Sequence, residues 1–368
     1  METRRPRRAL PGRRLPAVLH HHPEGDPMST SDVTRHGVRG EHPGRQAVPA
    51  ALRGGRRRRG ERGMVPEAEF TSYYGRPVIK APSWEARDIA GYFFLGGLAG
   101  AGSVLAAGAR LTGRPRTARR MTLSSLAAIS LSTAALVHDL GRPARFANML
   151  RVVKPTSPMS MGSWLLAGYG PATGAAAWCA VTGRLPRAGA AATTVTVLLG
   201  PAVTTYTAVL AADTAVPAWH GAHRELPYLF AASATAAAAG MALVLSPARE
   251  NAPARRAAVL GAAAETAATK LMEHRLGPVA ETCRTGTAGR LLRAADALTV
   301  AGGVLTALAG RHRAAAVMAG AALLAGSACT RFGVFHAGLG SAEDPRYTVA
   351  PQRERLAQRA APSSSPSS

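Results

Sequence analysis

Eight stretches of mostly apolar residues, running roughly 89–110, 120–139, 162–182, 190–212, 226–246, 256–275, 291–310 and 314–336, constrain this chain more than anything else in it. Each reaches the ~20 residues that a helix needs to cross ~30 Å of hydrocarbon. Inside a bilayer the backbone must satisfy its own hydrogen bonds, so apolar runs of this length fold as helices. The expected fold is an all-α integral membrane protein with eight transmembrane helices. Gly96 and Gly100 in the first run form a small-xxx-small face suited to close helix packing. Pro171 and Pro201 in the third and fourth are tolerable where neighbouring helices satisfy the freed carbonyls. Trp84, Trp164, Trp178 and Trp219 all fall at expected helix ends, where an amphipathic ring is most stable. A soluble alanine-rich bundle is the alternative.

Hydrophobic residues make up 47% of the chain, and the mean hydropathy of only +0.01 averages alanine-rich helices with a very polar beginning. Residues 1–63 carry 15 Arg and 6 acids, among them Arg56 to Arg59 in a row. They are expected to form a disordered basic N-terminal tail; Met28 and Met64 are both candidate starts. Residues 64–88, aromatic and proline-punctuated, read as an interfacial arm, 89–340 as the transmembrane domain and 341–368 as a C-terminal tail. The net charge of +24 sits in that tail and in loops between apolar runs, which is a membrane-topology pattern and speaks against nucleic acid. Both sets of loops are basic, and the short connectors favour termini outside. Cys179, Cys283 and Cys329 form no CxxC, so neither a zinc site nor an iron–sulfur cluster is expected. Every histidine beyond the tail falls at or outside a helix end, which argues against haem.

Between the second and third runs lies HDLGRPARFANMLRVVKPTSPMSMGSW, from His138 to Trp164. Its Gly-Arg-Pro sequence cannot continue a helix, so the second helix ends on His138 and Asp139. Arg142, Arg145, Arg151 and Lys154 follow, a cationic surface suited to docking a partner. Ionisable groups inside membrane helices are costly and therefore functional candidates. Tyr206 and Asp213, seven apart, would share a helix face. With His138, Asp139 and His220 they can flank the polar head of a quinone, Tyr206 donating to a carbonyl and a carboxylate or imidazole taking a proton. The bland alternative is that Asp213 caps its helix or pairs with Arg224 and that Tyr206 only packs. Glu265, Lys270, Glu273 and Arg331 form a candidate proton path; a Glu265–Lys270 ion pair and a snorkelling Arg331 are the plainer readings.

The His138–Trp164 block, the YTAVLAADTAVPAWH segment and the closing RFGVFHAGLGSAEDPRYTVAPQRERL resemble the NrfD/PsrC family, the membrane subunits of polysulfide and nitrite reductase systems. That resemblance implies an eight-helix, quinone-reactive anchor in the plasma membrane, serving anaerobic respiration. It would exchange electrons between menaquinol or menaquinone and a docked 4Fe-4S ferredoxin-like subunit, which serves a molybdopterin catalytic subunit. It points to Tyr206 as hydrogen-bond donor, with Asp139 and the carboxylate end of the fourth helix nearby. The first run departs from members that hold the quinone with a histidine there, offering only Tyr92 and Ser103, and His336 stands where an acid is expected. A proton- or ion-translocating subunit and a passive anchor without a quinone site are the alternatives.

Overall fold

The computed structural model describes residues 32–34, 37–39, 79, 80, 82, 84–141 and 144–360. Two compact units divide the chain at Ala68 and Glu69. In the first, Asp32–Thr34 pairs antiparallel with Gly37–Arg39, Val33 opposite Val38. This hairpin lies within the stretch expected to be disordered; the rest of that tail, most of the expected interfacial arm and residues 361–368 fall outside the described residues.

Among the described residues, the second unit has eight long helices, whose positions follow the eight apolar runs: α1 Ala86–Leu111, α2 Pro115–Asp139, α3 Pro158–Thr182, α4 Pro186–Ala212, α5 Leu226–Leu245, α6 Ala252–Leu276, α7 Gly286–Ala309 and α8 Arg313–Glu343. Six of them (α1, α2, α4, α5, α7 and α8) are long and apolar enough to cross a membrane. The other two are of similar length: α3 carries no charged residue but is interrupted by glycine, serine and Pro171, whereas α6 is polar, carrying Arg255, Arg256, Glu265, Lys270, Glu273 and Arg275. The chain past Glu343 is also helical, Arg346–Ala360, where only a tail was expected.

Proline shapes these boundaries. Pro115, Pro158 and Pro186 occupy first helical turns, where the missing N–H costs nothing. At the other end of α2, Gly141 takes φ +69° immediately before the Arg-Pro pair, a left-handed conformation that glycine adopts freely. The helix stops at Asp139 as the sequence requires.

Small residues set the packing of α1 against α4 and of α5 against α8. A Cβ on Gly200 would come within 2.8 Å of the Gly100 carbonyl oxygen, and one on Gly240 within 2.7 Å of that of Gly320. Backbones touch there, which only glycine permits. The C-terminus of α5 is capped from outside: the Arg313 guanidinium donates to the carbonyls of Leu243, Val244 and Ser246 at 2.8, 2.5 and 2.9 Å. Arg120 donates to that of Leu245. These carbonyls have no helical partner of their own.

Buried polar groups gather between α5, α6, α7 and α8. Thr330 donates to Glu265 at 2.7 Å, Thr299 to its other oxygen at 3.4 Å, and Ser233 to Ser327 at 2.8 Å. Arg331 is fully buried, donates to the Phe230 carbonyl at 2.7 Å and lies 3.7 Å over the Phe230 ring. It does not snorkel. Nor does Glu265 pair with Lys270: five residues apart on a helix, they point about 140° from each other, and Lys270 instead meets Asp296 of α7 at 3.3 Å. Trp219 also departs from expectation. It is 1% exposed, stacks on Trp84, packs on Phe335 and donates to the Val334 carbonyl at 2.8 Å. It is a core plate and no interfacial anchor.

Candidate functional site

The start of α1, the end of α2, the start of α3 and the end of α4 meet at one end of the bundle. They enclose a cavity of about 90 Å³, lined by Trp84, Ile89, Tyr92, Leu136, Asp139, Leu140, Met149, Met159, Gly162, Ser163, Tyr206 and Leu210. The one-and-a-half-turn helix Ala144–Met149 and the first turn of α3 contribute Met149 and Met159 to that lining.

The loop beside it is tied down residue by residue. Ser157 caps α3, accepting from the Ser160 N–H at 3.4 Å. Ser160 accepts from the Lys154 N–H and donates to the Val152 carbonyl, both at 3.0 Å. The Trp164 indole donates to the same carbonyl at 3.4 Å. The polar residues of KPTSPMSMGSW thus fold the loop onto the helix that follows, and Arg145, Arg151 and Lys154 of the segment between α2 and α3 are exposed. Arg142, the fourth expected docking cation, falls outside the described residues.

Two tyrosines furnish the polar wall. The hydroxyls of Tyr92 and Tyr206 hydrogen-bond to each other, and their rings meet edge to face at 6.2 Å and 77°. Tyr92 is buried, 2% exposed. With the Tyr92 hydroxyl as donor, the Tyr206 proton is free to point into the cavity, and a chain of two hydroxyls polarises its outer member. Gly162 makes room for the Tyr206 ring, since a Cβ there would stand 2.5 Å from its Cε2. Across the cavity, one oxygen of Asp139 accepts from the Glu85 N–H at 3.4 Å, leaving the other for a ligand.

Of the residues expected to hold a ligand, Tyr206 and Asp139 come together here. The remaining three do not. His138 lies one residue from Asp139 but turns away, bonding Asp88 of α1 at 2.6 Å with three quarters of its side chain exposed. Asp213 is exposed at the C-cap of α4, with φ −80° and ψ 54°. The seven-residue helical register that would have aligned it with Tyr206 ends at Ala212. His220 is exposed too, stacked on His223 at 5.7 Å. Among the proton-path candidates, Glu265 and Arg331 share the buried cluster between α5 and α8, while Lys270 pairs with Asp296 and Glu273 with Arg284 at 3.1 Å, both towards the surface.

Trp84 and Gly162 were not singled out as ligands from sequence, and Tyr92 entered only as one of the two polar residues that the first run offers. Tyr92 carries the signal that pairs it with Tyr206, since the start of α1 and the end of α4 fall at the same end of the bundle once the up–down topology is assigned. Gly162 carries none. Asp88 follows from the same topology, because the start of α1 must lie beside the end of α2. Among the described residues no group of three or more His, Cys, Asp or Glu side chains is placed to hold a metal.

No curated protein matches the chain. Residues 81–263, which contain every residue of the cavity lining, match the polysulphide reductase NrfD family, so the chain is a member of that family and a multi-pass membrane subunit of a redox complex.

Proposed function

We propose that this subunit crosses the membrane eight times and exchanges electrons between menaquinol or menaquinone and an iron–sulfur partner, itself serving a molybdopterin catalytic subunit in the plasma membrane. The observation that carries the reading is the cavity that joins the Tyr92–Tyr206 hydroxyl pair to Asp139. A bound quinone would supply two-electron, two-proton chemistry.

The chain's own groups suit that ligand. Tyr206 donates a hydrogen bond to a carbonyl oxygen, and Tyr92, buried behind it, holds its orientation. Asp139 accepts a proton on its free oxygen and lies at the helix end, within reach of solvent. Trp84 offers an aromatic face. At about 90 Å³ the cavity is smaller than the ~150 Å³ space that admits benzene. A two-ring head therefore enters as Met149 and Met159 of the lining, unbranched and adaptable, swing aside. Arg145, Arg151 and Lys154 offer charge to an acidic partner surface.

The test is menaquinol-dependent electron delivery to the co-purified complex in nanodiscs, comparing wild type with Tyr206→Phe and Asp139→Asn. Each variant is expected to lose turnover by about 10²-fold, the scale of one positioned proton-transfer group, with the complex still assembled. Full turnover in both would remove the cavity from the reaction and favour a passive anchor. One further observation favours a second reading, proton or ion translocation: Glu265 is buried at 3% exposure among Thr299, Thr330 and Arg331. Glu265→Gln would then abolish ion movement while leaving quinol turnover intact.

A further inference from the structure

At the opposite end of the bundle from the cavity, the connectors carry Arg110, Arg114, Arg116, Arg119 and Arg120, then Arg184 and Arg187, Arg249, Arg255 and Arg256, and Arg311 and Arg313, against the single acid Glu250. Glu250 is engaged, accepting from the Thr117 N–H at 2.8 Å. Most of these arginines face solvent singly, but three converge. Arg255, Arg256 and Arg311 line one recess of about 570 Å³ between the start of α6 and the end of α7, its other walls being Val259, Leu260, Thr306 and Ala307. Among the described residues none of the three pairs with a carboxylate. The Arg255 Nε is shielded from solvent and has no acceptor.

Arg255 and Arg256, the fourth and fifth residues of α6, lie close to its positive end, and the first turn has no acid to offset them. An anion at this point satisfies both the guanidiniums and the positive helix end. The recess does not stop at the headgroup level. Val259 and Ala307 also line a second, almost wholly apolar groove of about 460 Å³, which runs between α6 and α7 past Ala263, Val300 and Val304 to Lys270. From Arg256 to Lys270 the helix rises about 21 Å, more than the ~15 Å of one leaflet's hydrocarbon. Leu260, Val300 and Val304 are 69%, 47% and 51% exposed beside it. A basic recess opening into an apolar furrow matches one molecule in charge and in shape.

We propose that the recess of Arg255, Arg256 and Arg311 binds the phosphate of an anionic phospholipid, with one acyl chain lying in the furrow between α6 and α7. Basic pockets between membrane helices take anionic lipid heads by the same physics. The site is distinct from the cavity at the other end and does not depend on quinone chemistry.

The test is native mass spectrometry of the full-length protein released from nanodiscs of dioleoylphosphatidylglycerol mixed equally with dioleoylphosphatidylcholine. Wild type is expected to keep one phosphatidylglycerol at least tenfold over phosphatidylcholine. Arg255→Gln/Arg256→Gln/Arg311→Gln should lose that preference. Arg184→Gln/Arg187→Gln, which removes charge from the same end away from the recess, should retain it. Ala263→Phe fills the furrow without touching charge and should lower retention at least fivefold at unchanged thermal midpoint. Undiminished retention in the triple variant, an equal loss in the Arg184/Arg187 control, or displacement of the lipid by millimolar inorganic phosphate would each overturn the proposal; the last would mark a free-anion site.

Discussion

Gly162 offers the sharpest perturbation of the tyrosine pair, because it touches Tyr206 through shape alone. In Gly162→Ala the new methyl would sit 2.5 Å from Cε2 and 2.9 Å from Cδ2 of the Tyr206 ring. Carbon atoms rest at 3.5–4.0 Å, so the ring must retreat by about 1 Å. Alanine gains up to ~1 kcal/mol over glycine inside a helix, while overpacking costs about 1–3 kcal/mol. The fold should therefore lose no more than about 2 kcal/mol and the complex should assemble. Turnover is another matter: a 1 Å misplacement of a positioning group costs about 10²-fold, or about 2.7 kcal/mol of barrier. The assay is menaquinol-dependent reduction of the partner in nanodiscs, with thermal unfolding measured alongside. The loss should shrink in a Tyr206→Phe background, because the two changes act on one group. Turnover within about twofold of wild type, or an equal proportional loss in both backgrounds, would refute the reasoning.

Other expectations concern stability. Arg331→Ala removes a fully buried cation near Glu265 and should cost about 3–5 kcal/mol, whereas Glu265→Gln keeps an acceptor for Thr330 and should cost about 1 kcal/mol; chemical unfolding in detergent reads both. Arg313→Ala strands three carbonyls at the end of α5 and should lose about 1–3 kcal/mol. Burial pushes the Cys283 thiol from 9 up to about 11. The folded chain therefore holds its proton where the unfolded chain has lost it, and stability present below pH 9 should fall as the pH rises through 11. Cys283→Ser should flatten that slope in a thermal scan across pH.

What sequence made legible was governed by local chemistry. Proline in the first turns and the Gly-Arg-Pro break announce where helices start and stop, because proline's missing donor acts on its own neighbours. The site was half visible for the same reason: Asp139 and Tyr206 lie near helix ends that any up–down topology brings together. Asp213 misled because register was extended one residue past the last helical turn. Trp219 misled because aromatic residues near an interface resemble anchors, and only the packing of Trp84 and Phe335 around it reveals a core residue. The Lys270–Asp296 pair depends on which helix lies beside α6, and spacing within a single helix carries no trace of that. The hairpin at Asp32–Arg39 arises in a composition that gives no core to build on.

The stack of Trp84 on Trp219 carries a mechanical consequence. Trp84 forms part of the cavity wall, yet the plate it rests on belongs to the other half of the bundle: Trp219 is bolted to α8 through the Val334 carbonyl and Phe335, and no Cβ fits between its ring and Gly338. Whatever lifts Trp84 must load α8, and one turn before Phe335 that helix carries Arg331 into the buried polar cluster. The two halves thus share a hinge pin, and a change at Gly338 or Phe335 reaches the cavity without lining it.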